Sequence, residues 1–284
     1  ARTQTLARFG CLAGDPFDRP LGRNPAHFLA AAPWLLLALV VAATSIVACG
    51  GDGSVAGFGR NQAHISAAEA RDKLDKRGIK YSAETFLESA KKGDIDFVGL
   101  FLAAGMDPDV RNKSGQTALM AAARKGQCAA IEMLLDRGAS VNLKDSEGVM
   151  ALHYAAGAPD DFKCLKTLIA HGADVKARTS RGSTPLIYAI SLPEMPPIGE
   201  SLASDELAKV KLLLDKGADI NAKYHGGYSP LMRSTIFGNL EIIKLLLDRG
   251  ADTKAVNDQG QTAHDLALQY HNKEAAKLLE KAGG

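Results

Sequence analysis

Aromatic residues make up only 6 % of the 284 residues, with a single tryptophan, so a core must be filled by Leu, Ile and Ala. The net charge is only +2, which removes any general electrostatic drive toward nucleic acid. Catalytic signatures are missing: the chain contains no Gly-x-Ser-x-Gly, no His-Glu-x-x-His and no paired Cys-x-x-Cys. Ser89-Ala-Lys-Lys92 has the Ser-x-x-Lys spacing of serine acyl enzymes but none of the companion motifs, and it reads as a surface turn. His171, His225, His264 and His271 show no ligand spacing, and Asp160-Asp161 reads as a solvated turn. The chain is therefore expected to be a non-enzyme with no cofactor and no metal.

What the chain does have is repetition. The stretch 228–252 describes a complete supersecondary unit. Ser229 can cap a helix with its hydroxyl, and Pro230 suits the first helical position because its missing N–H had no partner there. The chain can reverse at Gly238-Asn239. A second helix follows, with Leu240, Ile243, Leu246 and Leu247 on one apolar face, and Gly250 ends it in the left-handed conformation. Such a unit cannot bury both helices alone.

Copies of it are present. Aligned on the terminal glycine, Gly105, Gly138, Gly172, Gly217, Gly250 and Gly283 recur at intervals of 33, 34, 45, 33 and 33 residues. Ahead of them stand Thr117-Ala-Leu-Met, Met150-Ala-Leu-His, Thr184-Pro-Leu-Ile, Ser229-Pro-Leu-Met and Thr262-Ala-His-Asp. Ala139-Ser-Val-Asn, Ala173-Asp-Val-Lys, Ala218-Asp-Ile-Asn and Ala251-Asp-Thr-Lys follow the glycines. A period near 33 with these tetrads resembles the ankyrin repeat, a β-turn finger plus two antiparallel helices. The resemblance covers roughly residues 81–284 and implies an all-α solenoid of about six repeats including caps. It also implies that His153, in its tetrad, hydrogen-bonds the turn.

The amino-terminal part differs. Residues 28–48 carry no charge, and Arg2, Arg8, Arg19 and Arg23 precede them, which puts the positive end on the cytoplasmic side. Ile46-Val-Ala-Cys49-Gly50 resembles the lipobox of a bacterial lipoprotein signal peptide, which implies lipidation of Cys49 and cleavage before it. Twenty-one apolar residues are also long enough for an uncleaved membrane anchor, so both readings stay open, with ordinary signal cleavage as a third. In each, the repeats end up outside the cytoplasm. The first methionine is Met106, and a non-ATG start near Leu21 would give an n-region of ordinary length.

Residues 1–49 are thus assigned to signal peptide or anchor, and the glycine-rich stretch 50–65 to a flexible tether. Residues 66–82 should form a capping helix started by Ser66, with Ala70 and Leu74 inward, and residues 83–284 the repeat domain. The fourth repeat carries a twelve-residue insert, 191–202, whose three prolines make it a loop. Cys128 and Cys164 fall on the packing side of the second helices of adjacent repeats. With repeats stacked about 10 Å apart and a disulfide needing Cα atoms within about 7 Å, they are expected to be buried free thiols.

The resemblance places partner contacts on finger tips and on the exposed end of each first helix. These fall on Lys113, Ser114, Gln116, Arg124 and Lys125, then Ser146, Glu147 and Val149. Next come Ser180, Arg181 and Ser183, and finally His225, Tyr228, Ile236 and Phe237. Six residues after each glycine stand Arg111, Lys144, Arg178, Lys223 and then Val256, a basic ladder suited to an extended acidic protein surface. The partner expected is another protein, with membrane contact only through the anchor, no nucleic acid, and a monomeric chain; the alternative is an accessory or inhibitory protein that regulates a partner enzyme through the concave face or the 191–202 loop.

Overall fold

The computed structural model describes residues 65–158, 162–190 and 203–283. The anchor with Cys49, the tether up to residue 64 and the 191–202 insert lie outside the described residues. Helix α1 (Ala67–Lys76) comes first. Six helix pairs follow: α2 (Ala83–Lys92) with α3 (Ile95–Ala103), α4 (Ala118–Arg124) with α5 (Cys128–Asp136), and α6 (Ala151–Gly157) with α7 (Phe162–Ala170). Next are α8 (Pro185–Ala189) with α9 (Ala203–Asp215), α10 (Pro230–Phe237) with α11 (Leu240–Asp248), and α12 (Ala263–Gln269) with α13 (Lys273–Gly283). The even-numbered helices stack into a first-helix layer and the odd-numbered ones from α3 onward into a second-helix layer, so each repeat packs on its neighbours. A solenoid of this kind needs a polar cover at its ends. Helix α1 supplies one by packing on α3.

Local chemistry explains where each helix starts. Ser66 and Glu69 form a reciprocal cap: Ser66 Oγ accepts from the Glu69 N–H at 3.2 Å, and the Ser66 N–H donates to Glu69 Oε2 at 2.8 Å. Thr117, Thr184, Ser229 and Thr262 cap α4, α8, α10 and α12, each accepting from the N–H three residues on. Met150 has no acceptor for the first turn of α6, and only the reciprocal half of a cap forms there: His153 Nδ1 accepts from the Met150 N–H at 3.3 Å.

The core is aliphatic. Ala122, Ala123, Ala155 and Ala156 are at most 2 % exposed and let the first helices approach closely. In α11 the buried stripe is Ile242, Ile243 and Leu246, with Leu240 and Leu247 half-buried. Five of the six aligned glycines lie beyond a second helix at φ between 81° and 89°. The residue after the glycine then bonds back, as in Ala139 N–H to Leu134 O and Ala251 N–H to Leu246 O, both 2.9 Å. Gly283 instead is the last residue of α13.

One expectation is overturned. Cys128 and Cys164 form a disulfide between α5 and α7, with Cα atoms 4.9 Å apart. The 10 Å spacing is measured between helix axes. Cα atoms lie about 2.3 Å from each axis, so two on facing sides are only about 5 Å apart, within bonding range.

Candidate interaction face

Five fingers, each leading into the next repeat, line one side of the array and bond to one another. The Ser146 N–H donates to Ser114 O, Ser180 to Glu147 O, His225 to Arg181 O and Asp258 to Gly226 O, all at 2.9–3.1 Å. Within three fingers an Asn or Asp side chain closes the tip: Asn112 Oδ1 accepts from Ser114 and Gln116 N–H, Asp145 Oδ1 from Glu147 and Val149, and Asn257 Oδ1 from Gln259 and Gln261. The fourth finger has Tyr224 at that place and turns instead through His225–Gly227, with Gly226 and Gly227 at φ 78° and 73°. A Cβ on Gly227 would lie 2.9 Å from the Asp258 nitrogen, so the close approach of the last finger requires glycine there.

The basic ladder has an intramolecular job. Arg111 Nη1 donates to Lys144 O at 2.8 Å, Lys144 Nζ to Arg178 O at 3.4 Å, Arg178 Nη1 to Lys223 O at 2.9 Å and Lys223 Nζ to Val256 O at 2.8 Å. Each rung braces its own finger to the next, and Val256, at the fifth position of the series, has no side-chain donor. All four side chains remain exposed, so they still present positive charge along the edge. Arg178 also faces the Asp219 carboxylate at 3.9 Å, a surface pair of little energetic weight.

Beside the fingers, the first helices contribute two clusters. In the second and third repeats, Tyr154 donates to Asp145 Oδ2 at 2.9 Å and accepts from the Gln116 amide at 3.1 Å, while the Arg124 guanidinium lies 5.9 Å from its ring centre. Burial, followed by the Asp145 charge, pushes the Tyr154 hydroxyl well above its usual range. In the fifth repeat Arg233, only 6 % exposed, lies 5.4 Å from the Tyr224 ring centre and 5.1 Å from that of Phe237, and it donates to Tyr224 Oη at 2.8 Å. The Tyr228 ring is 6.0 Å from that of Tyr224. Burial, then the nearby Tyr228 and Tyr224, pushes the Tyr270 hydroxyl up. Phe237, 38 % exposed, leaves apolar surface beside Arg233.

The residues expected to meet a partner divide accordingly. Lys113, Ser114, Arg124, Lys125, Ser146, Glu147, Ser180 and His225 are exposed, and Gln116, Arg181, Tyr228 and Ile236 half-buried. Val149 and Ser183 are buried at 4 % and are not available: each bonds within its own finger, the Val149 N–H to Asp145 Oδ1 and the Ser183 N–H to Thr179 Oγ1. Sequence reasoning missed Tyr154, Tyr224, Arg233 and Tyr270. A signal existed, since the residue after each tetrad is Ala121, Tyr154, Tyr188, Arg233 and Leu266, and bulk there changes the face. His153 is fully buried, with Nε2 3.3 Å from Ser183 O. It serves the turn and is no part of the face. Ser89 is 8 % exposed and donates to Thr85 O at 2.9 Å, so it belongs to the fold of α2 rather than to a surface turn. Among the described residues no group of three or more His, Cys, Asp or Glu side chains could hold a metal ion.

Comparison with known proteins agrees with this architecture. The family model described as Ankyrin repeats (3 copies) matches residues 86–179 and 200–283, more than half the chain. An ankyrin repeat-containing protein of Treponema pallidum is 32 % identical over 152 residues, covering 53 % of this chain and 46 % of that one. The ankyrin repeat protein YahD of Escherichia coli is 28 % identical over 210 residues, covering 72 % of this chain and 98 % of its own length. The chain thus spans about half of one relative and nearly all of the other. Among solved structures, an ankyrin repeat domain from Acinetobacter baumannii superposes with a TM-score of 0.58 at 29 % identity, covering 70 % of this chain and 97 % of that domain. A chain in the complex of the Bdellovibrio bacteriovorus predatory endopeptidase Bd0816 with immunity protein Bd3460 gives 0.59 at 28 %, covering 69 % and 96 %.

Proposed function

The chain belongs to the ankyrin-repeat family, and we propose from that premise that it is a membrane-tethered, extracytoplasmic protein that binds an acidic surface of another protein. Ankyrin repeats are protein-interaction modules, and the coarse function of this chain is protein interaction. The observation that carries the finer reading is the exposed basic edge of the fingers beside the Tyr224, Tyr228, Arg233 and Phe237 group. Interface hot spots are enriched in Tyr and Arg set among apolar contacts, and a basic rim steers an acidic partner toward them. Two features support the location. The apolar segment 28–48 ends in a lipobox-like Cys49, and the Cys128–Cys164 disulfide suits an oxidising compartment.

A second reading follows from one comparison. A chain similar to this one occurs in a complex of an endopeptidase with an immunity protein, so an accessory or inhibitory role toward a partner enzyme is the alternative. It would act through the same face or through the 191–202 loop.

Capture from envelope extract by the full chain, compared with Tyr228→Ala and Phe237→Ser, tests the binding reading. The partner should be lost from both variants while their thermal unfolding stays unchanged. Retention by both would overturn the placement of the site. An enriched enzyme whose activity changes on binding selects the inhibitory role. For the tether, Cys49→Ala should abolish palmitate labelling; labelling that survives the change excludes the lipobox.

A further inference from the structure

The fingers carry a second set of bonds, four residues after each helix-ending glycine. Asp109 Oδ1 accepts the N–H of Ser140 in the next finger at 2.8 Å, Asn142 Oδ1 that of Asp174 at 2.9 Å, and Asn221 Oδ1 that of Asp252 at 2.9 Å. The equivalent residue in the fifth finger is Lys254. The equivalent residue in the third finger is Lys176, and the fourth finger follows that one. A lysine ammonium has three donors and no acceptor, so the Asp219 N–H cannot be clasped in the same way. At this junction a donor-only side chain stands where Asp109, Asn142 and Asn221 supply an acceptor.

The helices show a difference at the same place. Helix α8 has five residues, whereas α4, α6 and α12 have seven and α10 has eight. The first-helix layer is therefore shortest in the fourth repeat, which faces the fifth. The second-helix layer is tied across that junction: Asn239 Nδ2 donates to Glu206 Oε2 at 3.2 Å and Arg249 Nη1 to Asp215 Oδ1 at 2.8 Å. The finger bonds from Arg178 and His225 also cross it, with equivalents at the neighbouring junctions, and the exposed Arg178–Asp219 pair at 3.9 Å spans it too, as a surface pair of little energetic weight. On the amino-terminal side, the disulfide holds the second and third repeats together.

We propose that the array is articulated. Its first four repeats form one block and its last two a second, joined along the second-helix layer and able to part on the finger side. Arg111 and Lys144 sit on one block, and Tyr224, Tyr228, Arg233 and Phe237 on the other. Parting changes the distance between the basic edge and the aromatic group, so one face can fit partners of different width. The articulation holds whatever the partner is and goes beyond the functional reading above.

Native-state amide exchange of the full chain in detergent, read by mass spectrometry over a low-urea series, tests this. In the wild type, α10 to α13 should lose protection together and before α4 to α7. Lys176→Asn supplies the missing acceptor, and one hydrogen bond of about 1 kcal/mol corresponds to about a fivefold slower opening. Exchange of α10 and α12 should slow by that factor, with α4 to α7 unchanged. Asn221→Lys is the reciprocal variant. It should create a new parting point, so that α12 and α13 open without α10 and α11. The proposal is overturned if wild-type α12 and α13 fray ahead of α10 and α11 with no step at the fourth repeat. It is also overturned if Lys176→Asn leaves the α10 and α12 rates where they were, or if Asn221→Lys leaves α12 tied to α10.

Discussion

His153 shows how one side chain can serve two repeats. Its Nδ1 accepts from the Met150 N–H at the start of α6, and its Nε2 reaches Ser183 O of the next finger. Burial is the main cause that lowers its pKa from 6.5 to about 4, against the raising effect of the bonds to Ser183 and Ala177. The folded state therefore resists protonation more than the unfolded chain does. Between pH 6.5 and 4 the unfolded state binds more protons, so the stabilisation is complete above about 6.5 and is lost as pH falls toward 4. A displacement of that size corresponds to about 3 kcal/mol. Denaturant unfolding measured across that range should show stability falling with pH in the wild type and a flatter profile in His153→Leu. An equally steep fall in the variant would move the effect to other groups.

At the scale of elements, the repeat pattern was legible because glycine, tetrad and apolar spacing agree on one period. The caps at Ser66, Thr117, Thr184, Ser229 and Thr262 follow from local chemistry alone. The disulfide was not legible in this way. It depends on which sides of α5 and α7 face each other, and an axis spacing does not contain that. Closing a loop of 36 residues restricts the unfolded chain enough for about 4 kcal/mol in the loop-entropy account. Replacing both cysteines with alanine should lower the unfolding free energy by about 2–4 kcal/mol, whereas a change under about 0.5 kcal/mol would mean that the bond adds nothing to the stacking of the second and third repeats. A smaller irregularity lies between α12 and α13. His271 has φ 58°, where Gly126 and Gly238 stand in other repeats. Relief of left-handed strain, about 1–3 kcal/mol, outweighs the extra chain entropy of glycine, about 0.5–1 kcal/mol. His271→Gly should thus raise the unfolding free energy, by about 1 kcal/mol, in the same denaturant assay.

Over the whole molecule, exposed positions were easier to place than their roles. The finger-tip positions Lys113, Ser114, Glu147 and His225 are at the surface as the repeat register implies, whereas Arg233 and Tyr154 were missed because their importance comes from neighbours in other segments. The basic ladder combines both situations. Its register was visible in the sequence, but its hydrogen bonds to the next finger were not, since a carbonyl 33 to 45 residues away leaves no trace in composition. Those bonds alter how the steering role must be tested. Exchanging Arg178 and Lys223 for Glu would set carboxylates against the Lys223 and Val256 carbonyls and damage the fingers as well as the field. Glutamine keeps an N–H donor and removes the charge, so Arg178→Gln with Lys223→Gln separates the two effects. With a Debye length of about 8 Å at physiological salt, each rung acts on charges close to it. If the ladder guides an acidic partner, the double variant should associate more slowly and with a shallower salt dependence, while dissociation and thermal unfolding stay near wild type. If the association rate and its salt slope are unchanged, the ladder acts only as a brace between fingers, and affinity rests on Tyr228, Phe237 and the guanidinium of Arg233.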